Sequence, residues 1–142
     1  VERIVPEALA IVIGMPLLVA GLSLHVWCVL LFKKTPGGGG IGVPFNPPRQ
    51  LVVVGPYAWM RNAMVTAFSL WLSGLGFILN SISMLCVGTP AFLAVLVIEL
   101  KVVEEPELER RFGVAYREYK ARVPMFVPRR PATHGGERRW TW

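Results

Sequence analysis

Three long apolar runs alternate with polar or glycine- and proline-rich connections along this chain. The first, ALAIVIGMPLLVAGLSLHVWCVLLF over residues 8–32, carries no formal charge in 25 residues. At about 1.5 Å per residue it is long enough to cross a hydrocarbon core of about 30 Å with some tilt. AMVTAFSLWLSGLGFIL (63–79) is the second run and LCVGTPAFLAVLVIELKVV (85–103) the third, with Glu99 and Lys101 near its end. The pattern predicts three membrane helices. The first exceeds the roughly 7–15 apolar residues of a signal peptide. The chain begins with Val rather than Met, which leaves room for an upstream helix.

After the third run the pattern changes. Leu108, Phe112, Ala115, Tyr116 and Tyr119 recur at spacings of three and four among charged residues, which predicts one amphipathic helix over 105–122, lying on the membrane or folded over the helix ends. Pro106 predicts a bend near Glu105 where this helix leaves the third span. Residues 35–57 are too rich in Gly and Pro for regular helix, and the four glycines 37–40 read as a flexible link, because no Lys-Ser/Thr follows to make a phosphate cradle. LVVV (51–54) reads as a short extended or interfacial piece, and Asn62 as the N-cap of the second span. The basic tail 129–142 reads as disordered, its tryptophans suited to the membrane interface.

Composition agrees with a membrane protein. The 142 residues are 54% hydrophobic and 17% charged, with a mean hydropathy of +0.51 and no Asp. Lys33, Lys34, Arg49 and Arg61 lie between the first two spans, and Arg110, Arg111, Arg117, Lys120 and Arg122 follow the third, while the connection NSISM is uncharged. The positive-inside bias therefore puts the first loop and the C-terminus on the cytoplasmic face, where a net charge of +6 attracts anionic headgroups. Nucleic acid is not an expected partner, since no basic motif with interleaved aromatics stands in a soluble module. Cys28 and Cys86 lack metal or redox spacing and read as buried apolar residues; no metal is expected. His25, alone in mid-helix, reads as a hydrogen-bonded or lumen-facing histidine.

Two polar clusters share the cytoplasmic end of the predicted hairpin: Tyr57, Trp59, Arg61 and Asn62 before the second span, and Glu104 with Glu105 after the third. An arginine, a carboxylate pair, aromatic faces and the open amides of a helix start suit a ligand that bears both a carboxylate and a cation. The plainer alternative is an ion pair of Lys101 with Glu104 or Glu105 at helical spacing, with Arg61 as an interfacial anchor.

The stretches NPPRQLVVVGPYAWMRNAM and EEPELERRFGVAYREYKARVPMFVPR resemble the isoprenylcysteine carboxyl methyltransferase and phospholipid N-methyltransferase family of integral membrane enzymes. The likeness covers residues 46–129, and the pattern EEPxLxxRFGxxYxxYxxxVPxxxPR is its more specific part. Gly55, Pro56, Tyr57, Arg61 and Asn62 match the first motif; Glu104, Glu105, Leu108, Phe112, Gly113, Tyr116, Tyr119, Pro124 and Pro128 match the second. The resemblance implies S-adenosylmethionine in a cytoplasm-facing pocket, with a lipophilic substrate arriving sideways from the bilayer. Where the family has Pro, Tyr and Gly in the first motif, this chain has Ala63, Val65 and Ala67, which loses a rigid helix start, a ring and a close approach.

The expectation is an all-helical membrane bundle of three or more spans that transfers a methyl group to a lipid-borne carboxylate, amine or thiol. Arg61 and Glu105 are the expected catalytic residues, and Tyr57, Arg61, Asn62, Met64, Glu104, Glu105 and Tyr116 the expected cofactor-binding set. Arg61 would orient a carboxylate, the glutamates would hold amino or ribose groups or take a proton, and the tyrosines would shape the wall. Two alternatives stay open: an NADPH-dependent membrane reductase of related fold, and a non-catalytic lipid-binding protein whose cofactor site has decayed.

Overall fold

The computed structural model describes residues 5–34 and 51–130. The glycine run 37–40 and most of the basic tail lie outside the described residues. Within them the chain is helical and contains no strand. Helix α1 spans Glu7–Lys34 and α2 spans Ala63–Ile78. A continuous helix then runs from Met84 to Phe112: a π-helical turn at Met84–Gly88, α3 at Thr89–Glu99, a second π-helical turn at Leu100–Glu104, and α4 at Glu105–Phe112. Helix α5, Val114–Arg122, closes the order.

Helix α1 and the Met84–Phe112 helix are each long and apolar enough to cross a membrane; α2 is a shorter apolar helix of 16 residues. A hydrocarbon core takes about 20 residues, so the charged end of the long helix, from Glu104 onward, lies beyond it. Large apolar side chains such as Val12, Val19, Val95 and Ile98 point outward, as a lipid-facing surface requires.

What α1 buries is small. Its buried residues are Ala10, Gly14, Gly21 and Cys28, one stripe at spacings of four and seven. Opposite lie Ala63, Ala67 and Gly74 of α2. A Cβ on Gly74 would stand 2.5 Å from the Leu18 nitrogen and 2.7 Å from the Gly14 oxygen, and one on Gly14 would stand 2.7 Å from the Gly74 oxygen. The two backbones therefore touch, which is how helices gain dispersion energy where lipid is as apolar as the side chains it would replace. Helix α3 packs on α2 and shares little contact with α1. At the far end Asn80 turns the chain with φ of 50°, and its side-chain amide donates to the Val5 carbonyl at 2.8 Å while accepting from the Val5 amide at 3.3 Å.

The long helix runs on through Glu105 without a break, and one expectation for the C-terminal part is corrected. The π-helical turn lets the Glu105 amide reach back five residues to the Leu100 carbonyl, and the widened turn admits the Pro106 ring in the first turn of α4. The single helix expected over 105–122 is instead two, because Gly113 adopts φ 54° and ψ −121°, a conformation that side-chain-bearing residues avoid.

The α1–α2 seam gives a direct prediction. Gly74→Leu must push backbone from backbone and is expected to destabilise the protein by about 1–3 kcal/mol or more, whereas Val19→Leu on the outer face is expected to be neutral. Thermal unfolding in detergent measures both, and equal melting temperatures would refute the seam.

Candidate functional site

The chain that leads into α2 is a one-turn 3-10 helix, Gly55–Ala58, begun by Gly55 at φ +60° and by Pro56. The turn drives Tyr57 inward, where it is buried with Cys28, Val52, Met60 and Ala63, with Met64 packed partly buried against them. The Tyr57 ring meets Phe32 edge to face at 5.3 Å, and Cys28 lies beside it in the same buried cluster. Ala63 and Ala67, two of the departures from the family pattern, are fully buried: Ala63 in this cluster, Ala67 with its carbonyl against Gly21. Both substitutions thus fall in the α1–α2 packing.

Arg61 is the centre of the polar arrangement. Its Nη1 donates to Glu105 Oε1 at 2.7 Å and its Nε to the Val123 carbonyl at 3.0 Å, with Tyr116 close by. Glu105 Oε2 accepts from Lys120 Nζ at 2.9 Å. The pair is largely enclosed, with 12% and 13% of the two side chains exposed. Glu105 therefore binds two cations, and neither is Lys101: the expected local ion pair gives way to partners brought from α5 and from the start of α2.

An extended segment lies across the start of α2. The amides of Arg61 and Asn62 donate to the carbonyls of Pro124 and Met125, at 2.8 and 3.0 Å. Thr66 Oγ1 donates to the Phe126 carbonyl, and the Arg129 amide to the Trp59 carbonyl. Tyr119 of α5 donates to the Tyr57 carbonyl at 2.6 Å. Two of the amides expected to face an anion are thus already used by this strap. Asn62 makes no side-chain cap, and its Nδ2 is buried without a partner among the described residues.

Burial raises Tyr57 and Tyr119 above the ordinary phenol range and pushes Tyr116 up to about 12, helped by the Glu105 charge. All three remain protonated, neutral donors at physiological pH. On Glu105 desolvation is the largest single influence and acts upward. The bonds and charges of Lys120 and then Arg61 outweigh it, leaving the carboxyl below its ordinary value. Glu104 has no ion-pair partner among the described residues. Its outer face is exposed at the rim, yet the packing around its carboxyl, and after it the charges of Glu99 and Glu105, push it up to about 7. Its charge is felt at Tyr57 and Tyr116, which places the three in one neighbourhood.

The structure thus brings Tyr57, Arg61, Asn62, Glu104, Glu105 and Tyr116 to one end of the bundle, with Met64 behind them. Sequence reasoning missed Lys120, Thr66 and the strap 123–126. The strap had a visible signal in the two prolines of VPMFVPR, which keep a segment extended and its carbonyls free to accept.

A model of the phospholipid methyltransferase family matches residues 9–115. No curated protein and no solved structure matches the chain.

The Glu105 clasp sets a pH dependence. A carboxyl lowered in the fold contributes stability that is present above its unfolded value of about 4.3 and is lost as pH falls through the lower folded one. Wild-type protein is therefore expected to lose melting temperature on acidification from pH 5 toward about 3. Glu105→Gln is expected to be destabilised at pH 7 by about 3 kcal/mol and to show a shallower acid slope. Parallel slopes in a pH series of thermal melts would refute the clasp.

Proposed function

Because the chain belongs to the phospholipid methyltransferase family, we propose that it transfers a methyl group from S-adenosylmethionine to a lipophilic acceptor at the membrane–cytosol interface. The observation that carries this reading is the division of labour between adjacent glutamates: Glu105 is held by Arg61 and Lys120, and Glu104 is left without a cation beside the buried tyrosines. In this reading α2 completes a third span together with its flanking turns, the site end faces the cytoplasm, and α4 and α5 form the amphipathic cap over it.

The residues present fit a zwitterionic, hydroxyl-bearing cation. Glu104 offers an unpaired carboxylate, Asn62 Nδ2 a buried unused donor, and Tyr57 and Tyr116 neutral rings beside them. When bound, S-adenosylmethionine supplies an electrophilic methyl carried on a sulfonium. Glu104 would hold the ligand's ammonium or ribose hydroxyls. Asn62 would donate to its carboxylate, with Arg61 lending positive charge from inside the clasp. Tyr57 and Tyr116 would wall the site and keep water out, which favours displacement at a cationic centre. With an amine acceptor, Glu104 would take the proton that nitrogen loses on methylation, a task for which a carboxyl raised toward neutrality is suited. Arg61 and Glu105 act in this account by holding the strap and Tyr116 in place.

Titration calorimetry of the detergent-solubilised protein tests the reading. Wild type is expected to bind S-adenosylmethionine and not NADPH. Glu104→Gln is expected to weaken binding by about tenfold or more, the worth of one charge-assisted hydrogen bond, and Lys101→Gln to leave it unchanged. Binding of NADPH instead would select the reductase. Binding of neither by folded protein would select a lipid-binding protein with a decayed cofactor site.

A further inference from the structure

At the site end of the molecule the charges divide into two groups. On α4 and α5 they pair with one another: Arg110 with Glu107, Arg117 with Glu109 and Arg122 with Glu118, at 3.4–3.8 Å, while Arg61 and Lys120 share Glu105. Lys33 and Lys34, which end α1, and Arg129 and Arg130, which follow the strap, are all exposed. None of these four cations has an ion-pair partner among the described residues. The two basic pairs flank one turn of chain. Phe32, beside Lys33, packs on Tyr57, and Trp59, two residues on, accepts from the Arg129 amide at 3.1 Å.

Charge alone would suit any polyanion, but the surroundings of these cations are apolar. Trp59 is 47% exposed and Val127, two residues before Arg129, is 72% exposed. Trp27 and Leu30 also point outward near the end of α1, so Lys33 and Lys34 come about 5–10 Å beyond the last large apolar side chains of that face. Cations just past the end of an apolar span, with exposed tryptophans beside them, stand at the level of lipid headgroups. A soluble polyanion would leave Trp59 and Val127 in water. An anionic bilayer surface takes up the charge and the apolar side chains together.

The strap brings the two basic pairs together. Its carbonyls accept from the amides of Arg61 and Asn62 and from Thr66 Oγ1, and the bond from the Arg129 amide to Trp59 is its last tie to the head of α2. With the strap seated, Arg129 and Arg130 are held beside the turn that packs on the end of α1. With it released, they are no longer fixed there. A surface that binds the four charges as one patch therefore favours the seated state by mass action.

We propose that Lys33, Lys34, Arg129 and Arg130, with Trp59 and Val127, dock on an anionic bilayer surface, and that this docking keeps the strap seated across the start of α2. The inference needs no cofactor and stands apart from the methyl-transfer reading.

Amide hydrogen exchange of the purified full chain is measured in nanodiscs of phosphatidylcholine alone and of phosphatidylcholine mixed with phosphatidylglycerol. The Arg61, Asn62 and Arg129 amides, which hold the strap, are expected to exchange more slowly in the anionic discs by about tenfold or more. The difference is expected to shrink at high salt. The double substitution Arg129→Gln with Arg130→Gln keeps every backbone bond of the strap. It is expected to remove most of the difference and to leave exchange in neutral discs unchanged, and Lys33→Gln with Lys34→Gln is expected to remove part of it. Equal exchange in the two kinds of disc, or a difference that survives in both double variants, overturns the proposal. Equal slowing by soluble polyglutamate in neutral discs also overturns it and assigns the patch to an acidic macromolecule.

Discussion

A guanidinium enclosed at a membrane rim must find its counter-charge within the protein, and the way Arg61 does so organises this end of the molecule. Its Nη1 takes Glu105 from the end of the long helix, its Nε takes the Val123 carbonyl, and Lys120 fills the second oxygen of the same carboxylate. One arginine thereby ties the start of α2, the start of α4, the end of α5 and the strap. Once the strap is in place its carbonyls satisfy amides at the head of α2, and Tyr119 fastens the turn that buries Tyr57. Removing either partner would leave a poorly solvated charge, so the arrangement is kept or lost as a unit.

Behind the clasp α1 and α2 meet backbone to backbone. Gly14, Gly21 and Gly74 leave no room for a Cβ. That close approach sets the heights at which Cys28 meets Tyr57 and His25 meets Phe68. The same packing explains two differences from the family's first motif. Ala63 and Ala67 are wholly buried at or beside this seam, where a small side chain is what the approach of α1 demands. Both belong to the α1–α2 packing; the third difference, Val65, has no structural explanation.

Two neighbouring glutamates of the same composition come to have different chemistry through position alone. Glu105 faces two cations and is held ionised; Glu104, one residue earlier, has no ion-pair partner among the described residues, and burial of its carboxyl with the charges of Glu99 and Glu105 raises it. A carboxylate already saturated by protein is a poor ligand for a substrate cation, and an unpaired one at the rim is a good one. The π-helical turn that ends at Glu104 joins α3 to α4 without breaking the helix, with Pro106 in the first turn of α4.

Much of this was legible along the chain. The apolar runs marked α1, α2 and the long helix that contains α3, the first and last of them long and apolar enough to cross a membrane, and GPYAWMRNAM and EEPELERRFG marked the polar ends that meet. Helical spacing, read locally, offered Lys101 as an alternative partner of the glutamates and predicted a single helix through Gly113, which the structure divides. Which cation Glu105 binds depends on residues 44 positions before it and 15 after it. Periodicity describes which residues share a face of one helix. It holds no information on which distant segment folds over that face, and the tertiary fold alone brings Arg61, Lys120 and the strap together at Glu105 and leaves Glu104 beside it without an ion pair.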